Sequence, residues 1–242
     1  DCESELITIE TPDKTEELIA YPSGSKILIK NIKFLTGGGG TNTACALSKL
    51  GNKVGYLGNL GKDKNTEVIL EVLKKYDVDF LGVKDKGSCG FSVILKSLEH
   101  DRTILAYKGM NNDLTLDEVH FKNLKTKWFY FSSMMGKSFE TLKKIAKYAK
   151  ENSIKIAFNP SNYLAVKGTI YLKDILTKTN LLILNKEEAE ILVGKNKPVK
   201  LIRELQDLGP DHVVITNGKK GSYTIDNNYL YHILPKNVKV KD

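Results

Sequence analysis

Apolar and polar residues alternate in the N-terminal part of the chain. Leu6–Ile9 and Ile27–Phe34 show the period of two that is typical of half-buried antiparallel strands. Residues 90–96 and 102–107 are rich in β-branched and aromatic side chains and flank a short polar connection, which predicts a hairpin. We therefore expect a small β-sheet, or lid, built from residues about 2–36 and 88–108.

The pattern then changes to short apolar runs that alternate with amphipathic segments. The runs predict strands at 54–57, 128–131, 154–158, 181–184 and 213–216. The amphipathic segments predict helices at 43–50, 66–76, 139–151, 170–177, 187–193 and 199–208. This alternation predicts an α/β fold, a mostly parallel sheet with helices on both faces, formed by residues 1–242 as one domain. Ligands of such sheets bind at the carboxyl ends of the strands, where loops begin at Asn159, Asn185 and Asn217.

Composition narrows the class of protein. The chain has 242 residues, 41% hydrophobic and 27% charged, which suits one large globular domain, and no apolar run approaches the length of a membrane span. The net charge of +8 comes from scattered lysines with no nucleic-acid module, although a positive field favours an anionic ligand such as a nucleotide. Cys2, Cys45 and Cys89 form no C-x-x-C pair, which indicates a reduced, cytoplasmic protein without a zinc site.

A glycine run is the most informative motif. Gly37–Gly40 follow a predicted strand and precede a predicted helix, and Asn42 lies directly before that helix. Glycines allow a ligand to approach the main chain, and free N–H groups at a helix start can hold an anion. Asn42 offers both a donor and an acceptor, which suits a ligand hydroxyl. The segment therefore predicts a site for a small polyhydroxylated molecule beside a place for anionic charge.

A second glycine-containing segment ends in Gly136-Lys137-Ser138, which is also the ending of a P-loop. A P-loop requires glycine five residues before the second glycine, and Phe131 occupies that position. We therefore interpret Gly136–Ser138 as a turn and the start of a helix.

The spacing GG-x-G-x-N-x-A-x6-G-x9-G resembles the substrate-site signature of the ribokinase-like (PfkB) family of sugar and nucleoside kinases. Its positions are filled by Gly38, Gly40, Asn42, Ala44, Gly51 and Gly61. The resemblance implies that Asp1, Gly38, Gly39 and Asn42 bind the acceptor sugar. Residues 101–104 and 109–114 resemble the family's lid hairpin and the turn that follows it, and Asn159-Pro160-Ser161 resembles its D/N-P segment.

Further motifs resemble the nucleotide side of these kinases. Asn185-Lys186-Glu187-Glu188 is similar to the N-x-x-E motif, which implies Asn185 near the phosphates and Glu188 acting on Mg²⁺ through water. Thr216, Gly218 and Gly221 fill the T-x-G-x-x-G turn that lies under ATP. Asp242 resembles the first residue of D-T-x-G-A-G-D, and a monovalent cation such as K⁺ is a further implication there. The catalytic aspartate is then expected beyond Asp242, and the family's first strand before Asp1.

The implied activity is that of a carbohydrate kinase, which transfers the γ-phosphoryl group of ATP to a hydroxymethyl of a sugar. Two alternatives stay open: a nucleoside kinase of the same family, and a non-catalytic sugar- or nucleotide-binding protein on the same scaffold. G-A-G-D after Asp242 would distinguish a kinase from a binding protein. The expected partners are a sugar or nucleoside and ATP, with no nucleic acid or membrane. A homodimer through the lid is also expected, because a small sheet has exposed edges.

Overall fold

The fold was examined in a computed structural model of the chain. It describes residues 5–12, 14–29, 31–96, 102–225 and 229–236. Within these residues, no helix has the length and apolar content needed to cross a bilayer.

The strands and helices are numbered in chain order. The strands are β1 (Glu5–Thr11), β2 (Lys14–Ala20), β3 (Val54–Tyr56), β4 (Asn59–Leu60), β5 (Val78–Phe80), β6 (Val83–Lys84), β7 (Phe91–Lys96), β8 (Arg102–Tyr107), β9 (Trp128–Phe131), β10 (Lys155–Phe158), β11 (Leu181–Asn185), β12 (His212–Thr216), β13 (Ser222–Ile225) and β14 (Leu230–Ile233). The helices are α1 (Gly39–Lys49), α2 (Lys64–Lys75), α3 (Gly136–Glu151), α4 (Ser161–Ala165), α5 (Gly168–Leu176), α6 (Lys186–Val193) and α7 (Pro198–Gln206). Short 3₁₀ turns lie at Gly109–Asn112, Leu116–Glu118, Phe121–Asn123 and Gly218–Lys220.

The main sheet has the order β14-β13-β12-β11-β10-β9. Strands β9 to β12 are parallel, and β13 and β14 add antiparallel to that edge. The parallel strands are joined through helices α3 to α7, so their carboxyl ends meet at one edge of the sheet. The predicted α/β class with a mostly parallel sheet is confirmed.

Most of the buried apolar side chains form one cluster between this sheet and its helices, here called the large cluster. Its fully buried members include Phe139, Phe158, Leu172, Leu182 and Leu205. Each such side chain contributes about 1.5–3 kcal/mol to the free energy of unfolding through burial. The large cluster is therefore the rigid base on which the carboxyl ends of the strands are held.

A second, smaller cluster packs around Ala44, Leu73 and Val78, and is here called the small cluster. It joins α1 and α2 to the parallel pair β3–β5. The glycine run that begins α1 therefore rests on a different group of core residues from the main sheet.

The lid region contains two separate antiparallel hairpins, β1–β2 and β7–β8. The hairpin predicted from residues 90–96 and 102–107 is present. The strand predicted at Ile27–Phe34 was wrong, because the described residues there form no strand and their apolar side chains are solvent-exposed, with Leu28 89% and Phe34 87% exposed. The partner of β1 is instead Lys14–Ala20, which the alternation did not indicate.

Candidate functional site

Polar residues collect where the parallel strands end. The N–H of Asn159, just after β10, donates to the carbonyl of Phe131 at the end of β9, at 2.9 Å. In the next pair of strands, Asn185 lies opposite Thr216 in register. Two residues assigned to the nucleotide side by resemblance are thus neighbours on this edge.

The glycine run reaches the same edge. Gly38 has a φ of 92° and precedes α1, whose first turn is closed by the N–H of Asn42 donating to the carbonyl of Gly38 at 3.0 Å. A Cβ on Gly39 would lie 2.5 Å from Oγ of Ser132, the first residue after β9. Glycine at this position lets the start of α1 lie against the end of β9.

The helix start presents groups that can bind a ligand. Asn42 is exposed in the first turn of α1, and its side chain has no hydrogen bond to a described residue. The N–H groups of a first helical turn lack intrahelical partners and favour an anion or an oxygen-rich ligand. The structure thus leaves the Asn42 amide exposed in the helix turn that lies against the end of β9.

Tyr56 supports the other side of the glycine run. A Cβ on Gly40 would lie 3.2 Å from a ring carbon of Tyr56, so glycine allows the helix to pack on this ring. Burial raises the pKa of Tyr56, opposed by the hydrogen bond with the side chain of Thr41. The phenol therefore remains neutral and acts as a packing surface for the turn.

The remaining signature glycines have structural reasons. Gly51 has a φ of 84° and lies at the end of α1, where its N–H donates to the carbonyl of Ser48 at 2.8 Å. A Cβ on Gly61 would collide with the backbone of Gly87, Ser88 and Cys89, where the β7–β8 hairpin begins. The spacing therefore includes glycines required by a helix end and by a close contact with the base of the β7–β8 hairpin, besides those of the turn where ligand binding is predicted.

Asn185 and Glu188 form a reciprocal pair at the start of α6. Oδ1 of Asn185 accepts from the N–H of Glu188 at 2.8 Å, and Oε2 of Glu188 accepts from the N–H of Asn185 at 2.9 Å. This is a capping box, which satisfies two N–H groups of the helix start. The N-x-x-E motif thus has a structural role that places both side chains at the carboxyl edge.

Glu188 is buried, with 8% of the residue exposed. Burial raises its pKa, as does the nearby Glu187, while hydrogen bonds from the backbone of Asn185 and Asn162 oppose the rise. Within the described part of the chain, no three acidic, His or Cys residues are grouped as metal ligands. A single carboxylate suits Mg²⁺, which keeps several waters and takes oxygens from phosphates.

The T-x-G-x-x-G segment forms a tight turn between β12 and β13. Gly218 and Gly221 have φ values of 51° and 87°, and the N–H of Asn217 donates to the carbonyl of Gly221 at 2.7 Å. A Cβ on Gly221 would also meet the carbonyl of Ile233 in β14. The glycines are required by the turn itself, which lies next to Asn185 and Thr216.

The hairpin base is fixed by a group of side chains that the sequence patterns did not indicate. The carboxylate of Asp63 caps α2 by accepting from Thr66 N–H at 3.2 Å, and accepts from Cys89 N–H at 2.8 Å. The buried Cys89 Sγ lies 2.9 Å from the hydroxyl of Thr66. We call Asp63, Thr66 and Cys89 the hairpin latch, because they join α2 to the start of β7.

Asn59 is another residue that sequence patterns missed. It lies in β4, is 2% exposed, and neither atom of its amide has a hydrogen-bond partner among the described residues. Strand β4 packs against the turn Gly109–Asn112, so this amide lies beside the base of the hairpin.

The rejected P-loop is a helix start, as predicted. Ser138 is fully buried and its hydroxyl accepts from the N–H of Leu114 at 2.8 Å, while Lys137 pairs with Asp113 at 3.4 Å. Both side chains therefore make contacts within the fold, and neither is placed as the Lys and Ser of a phosphate-binding P-loop are. Asp1, Asp101 and Asp242, which the resemblance assigned to the acceptor, the lid and a cation, lie outside the described residues.

The sequence is similar to that of known carbohydrate kinases. The family model of the pfkB carbohydrate kinases matches residues 7–242. The 5-dehydro-2-deoxygluconokinase of Clostridium perfringens is 28% identical over 235 residues, covering 87% of this chain and 68% of the relative. The ribokinase of Bacillus subtilis is 27% identical over 229 residues, covering 91% and 70%.

Solved structures share the fold. The ribokinase of Thermotoga maritima superposes with a TM-score of 0.78 at 20% identity, covering 91% of this chain and 73% of that one. The Arabidopsis thaliana ribokinase complexed with ribose and ATP gives 0.74 at 18% identity, covering 88% and 71%.

Proposed function

Because the chain belongs to the pfkB family of carbohydrate kinases, we propose that it transfers the γ-phosphoryl group of ATP to a hydroxymethyl group of a sugar. The observation that supports this function most directly is that two sets of candidate ligand-binding residues lie at the same edge of the main sheet. The turn of Gly37–Gly40, here called the glycine turn, abuts the end of β9, and Asn185, Glu188 and Thr216 lie at the ends of β11 and β12. Strands lie about 4.8 Å apart, so β9 and β12 end about 14 Å from each other, which leaves room for two ligands.

The acceptor sugar binds at the glycine turn in this proposal. The amide of Asn42 and the N–H groups at the start of α1 donate to its hydroxyl oxygens, and Asp1 accepts from its hydroxyl groups. Gly38 and Gly39 leave the space in which the sugar approaches the backbone. Serines at 132 and 133 follow β9, so no acidic side chain at these two positions contributes to recognition of the sugar.

ATP binds over the ends of β11 and β12. Asn185 lies near the phosphates, and Thr216 with the turn of Gly218 and Gly221 supports the nucleotide. A bound Mg²⁺ would supply positive charge to the phosphate oxygens, and Glu188 is the residue that would hold it, through water. Phosphoryl transfer depends mainly on such positioning and charge stabilisation.

The β7–β8 hairpin covers the acceptor in this proposal. The hairpin latch ties its base to α2, close to the turn at the end of β4. Closing it over the sugar excludes water, which would otherwise compete as an acceptor.

The full-length protein tests the assignment directly. A set of sugars and nucleosides is offered with ATP, and ADP release is followed with and without Mg²⁺. We expect ADP release that requires Mg²⁺ and a sugar. Absence of acceptor-dependent turnover would favour a non-catalytic binding protein, and turnover only with nucleosides would favour a nucleoside kinase.

A further inference from the structure

Lys108 lies between the hairpin and the edge of the main sheet. It follows β8 directly and precedes the turn Gly109–Asn112. This turn packs on the start of α3, since a Cβ on Gly136 would lie 3.0 Å from the carbonyl oxygen of Asn112. The backbone of Lys108 is thus held at the carboxyl end of β9, where the glycine turn also lies.

The amine of Lys108 extends over the next strand end. Its Nζ lies 3.6 Å from the ring centroid of Tyr163 in α4, the helix that follows β10. A cation over an aromatic face at this distance is attracted by the ring, which fixes the direction of the side chain. The amine is therefore directed along the same edge that holds Ser132 and Asn159.

This cation is partly buried without a counter-charge. No carboxylate of the described residues lies within ion-pair distance of Nζ, and Asp113, the nearby acid in sequence, pairs with Lys137. Burial lowers the pKa of the Lys108 amine. An anion bound beside the amine would stabilise its charged form, which burial destabilises.

A second lysine also has its amine over an aromatic ring, but it lies at the other end of the strands. Lys155 places its Nζ 5.4 Å from the ring of Trp128, at the opposite, amino-terminal ends of β10 and β9. Lys155 is exposed, whereas Lys108 is half-buried. The chain therefore contains a matched lysine that has the same type of aromatic partner but lies away from the site.

We propose that Lys108 selects an acceptor that carries an anionic group, a carboxylate or a phosphate ester, by pairing with that group while the glycine turn holds its hydroxyls. The inference rests on the proposed function, because it names the class of acceptor for the same site. In this scheme the Lys108 amine pairs with the acceptor rather than with the nucleotide, because Lys108 follows the hairpin near the end of β9, whereas Asn185 and Thr216 lie at the ends of β11 and β12. Lys108 is a specificity-determining residue in this scheme.

The test uses the full-length protein with three classes of acceptor. These are neutral sugars (fructose and ribose), sugar acids (2-dehydro-3-deoxygluconate and 5-dehydro-2-deoxygluconate) and a sugar phosphate (fructose 6-phosphate). The variants are Lys108→Met, Lys108→Arg and the control Lys155→Met. Turnover with ATP and equilibrium binding by calorimetry are both measured, so that binding can be judged even where turnover is absent.

We expect one anionic class to be preferred by the unaltered protein, and that class identifies the carboxylate or the phosphate ester. Lys108→Met should lower kcat/KM for it about 10- to 100-fold, mainly through KM, since a hydrogen bond to a charged group is lost. Neutral sugars should change little, Lys108→Arg should keep most of the preference, and Lys155→Met should behave as the unaltered protein.

Equal losses for neutral and anionic acceptors would overturn the inference, because Lys108 would then act on the transferred phosphoryl group or on folding. A preference for neutral sugars in the unaltered protein would overturn it as well. If no acceptor is phosphorylated but anionic sugars bind in a Lys108-dependent manner, the kinase proposal fails and the inference stands. If anionic sugars are neither bound nor phosphorylated, the inference fails.

Discussion

Several residues of the candidate site have a role in the fold beside the ligand-binding role that we propose for them. Glu188 and Asn185 satisfy each other's N–H groups in the capping box and are also the residues proposed to act on Mg²⁺ and the phosphates. The N-x-x-E motif singled out Asn185 and Glu188 only through the family resemblance, and the capping box that they form was not predicted. Asp63 and Cys89 could not be paired in the same way, since they are 26 residues apart in the chain and meet only through tertiary packing.

Asn42 should act on the acceptor and leave the nucleotide unaffected. Replacing it by alanine removes an exposed amide at the start of α1, and we expect acceptor binding to weaken by about 1–3 kcal/mol. Calorimetry with the sugar and with ATP measures both affinities on the same variant. Equal losses for the two ligands would contradict the division of the site between the glycine turn and the ends of β11 and β12.

Glu188 should give stability a measurable pH dependence. Its folded pKa is raised by burial, so in the window between the ordinary carboxyl pKa and the raised one the folded state holds a proton that the unfolded state has lost. The free energy of unfolding should therefore fall as pH rises through this window. Urea denaturation from about pH 4 to about pH 7 measures this fall, which should be smaller in Glu188→Gln.

Glutamine keeps an acceptor oxygen for the capping box, so this variant should fold normally. Its Mg²⁺-dependent turnover should nonetheless be reduced, because the charge next to the metal is gone. An identical fall of stability with pH in both proteins would show that another group is responsible.

At the scale of elements, the length of the hydrophobic pattern decided which strands could be predicted from the sequence. β9 was predicted with the bounds that the structure has, since Trp128–Phe131 form a clear apolar run that polar residues flank on both sides. β4 and β6 span two residues each and carry too few positions for any periodicity. Residues 27–34 alternate as a strand would, but alternation does not supply a partner, and the described residues there pair with no strand.

The contact of Gly61 with the hairpin base should be sensitive to a single methyl group. A Cβ there meets backbone atoms of Gly87 and Cys89, which cannot rotate away as a side chain can. We expect Gly61→Ala to destabilise the protein by about 1–3 kcal/mol, as overpacking does. Urea denaturation measures this.

Gly37→Ala is the matched control for that substitution. A Cβ on Gly37 has no heavy atom within 4 Å and its φ lies outside the glycine-specific region, so its stability should be unchanged. Similar stabilities of the two variants would mean that the hairpin base can move away from Gly61 at little cost.

At the scale of the whole molecule, the two hairpins leave apolar side chains uncovered. Ile7, Ile9 and Leu18 are exposed on β1–β2, as are Phe91, Ile94 and Leu105 on β7–β8. Contiguous exposed apolar surface is typical of an interaction site. The sequence indicated the lid segments, but it could not show that they form two separate hairpins, because pairing depends on tertiary contacts.

We expect a homodimer that forms through these hairpins in the full-length protein. Light scattering should give twice the chain mass, and Leu105→Lys, at an exposed apolar position of β8, should shift it to the monomer by placing a charge in the interface. The matched control is Ile170→Lys, an exposed apolar position on α5 away from the hairpins, which should leave the mass unchanged. A monomer for the unaltered protein would remove the dimer proposal.

Hairpin mobility is a separate expectation. The amides of β7 and β8 should exchange faster than those of β10 and β11 and should slow when the acceptor binds, because the hairpin has few buried contacts of its own. Equal protection with and without the sugar would leave the glycine turn as an open, static pocket.

The separation of the large and small clusters has a consequence for how such a protein can diversify. The glycine turn is carried by the small cluster around Ala44, Leu73 and Val78, while Asn185 and Thr216 are carried by the large cluster. Mutations in the small cluster can reshape the proposed sugar pocket without repacking the sheet beneath the proposed nucleotide site, since effects at distant sites add independently. Selection can therefore exchange one acceptor for another while the phosphoryl donor stays the same.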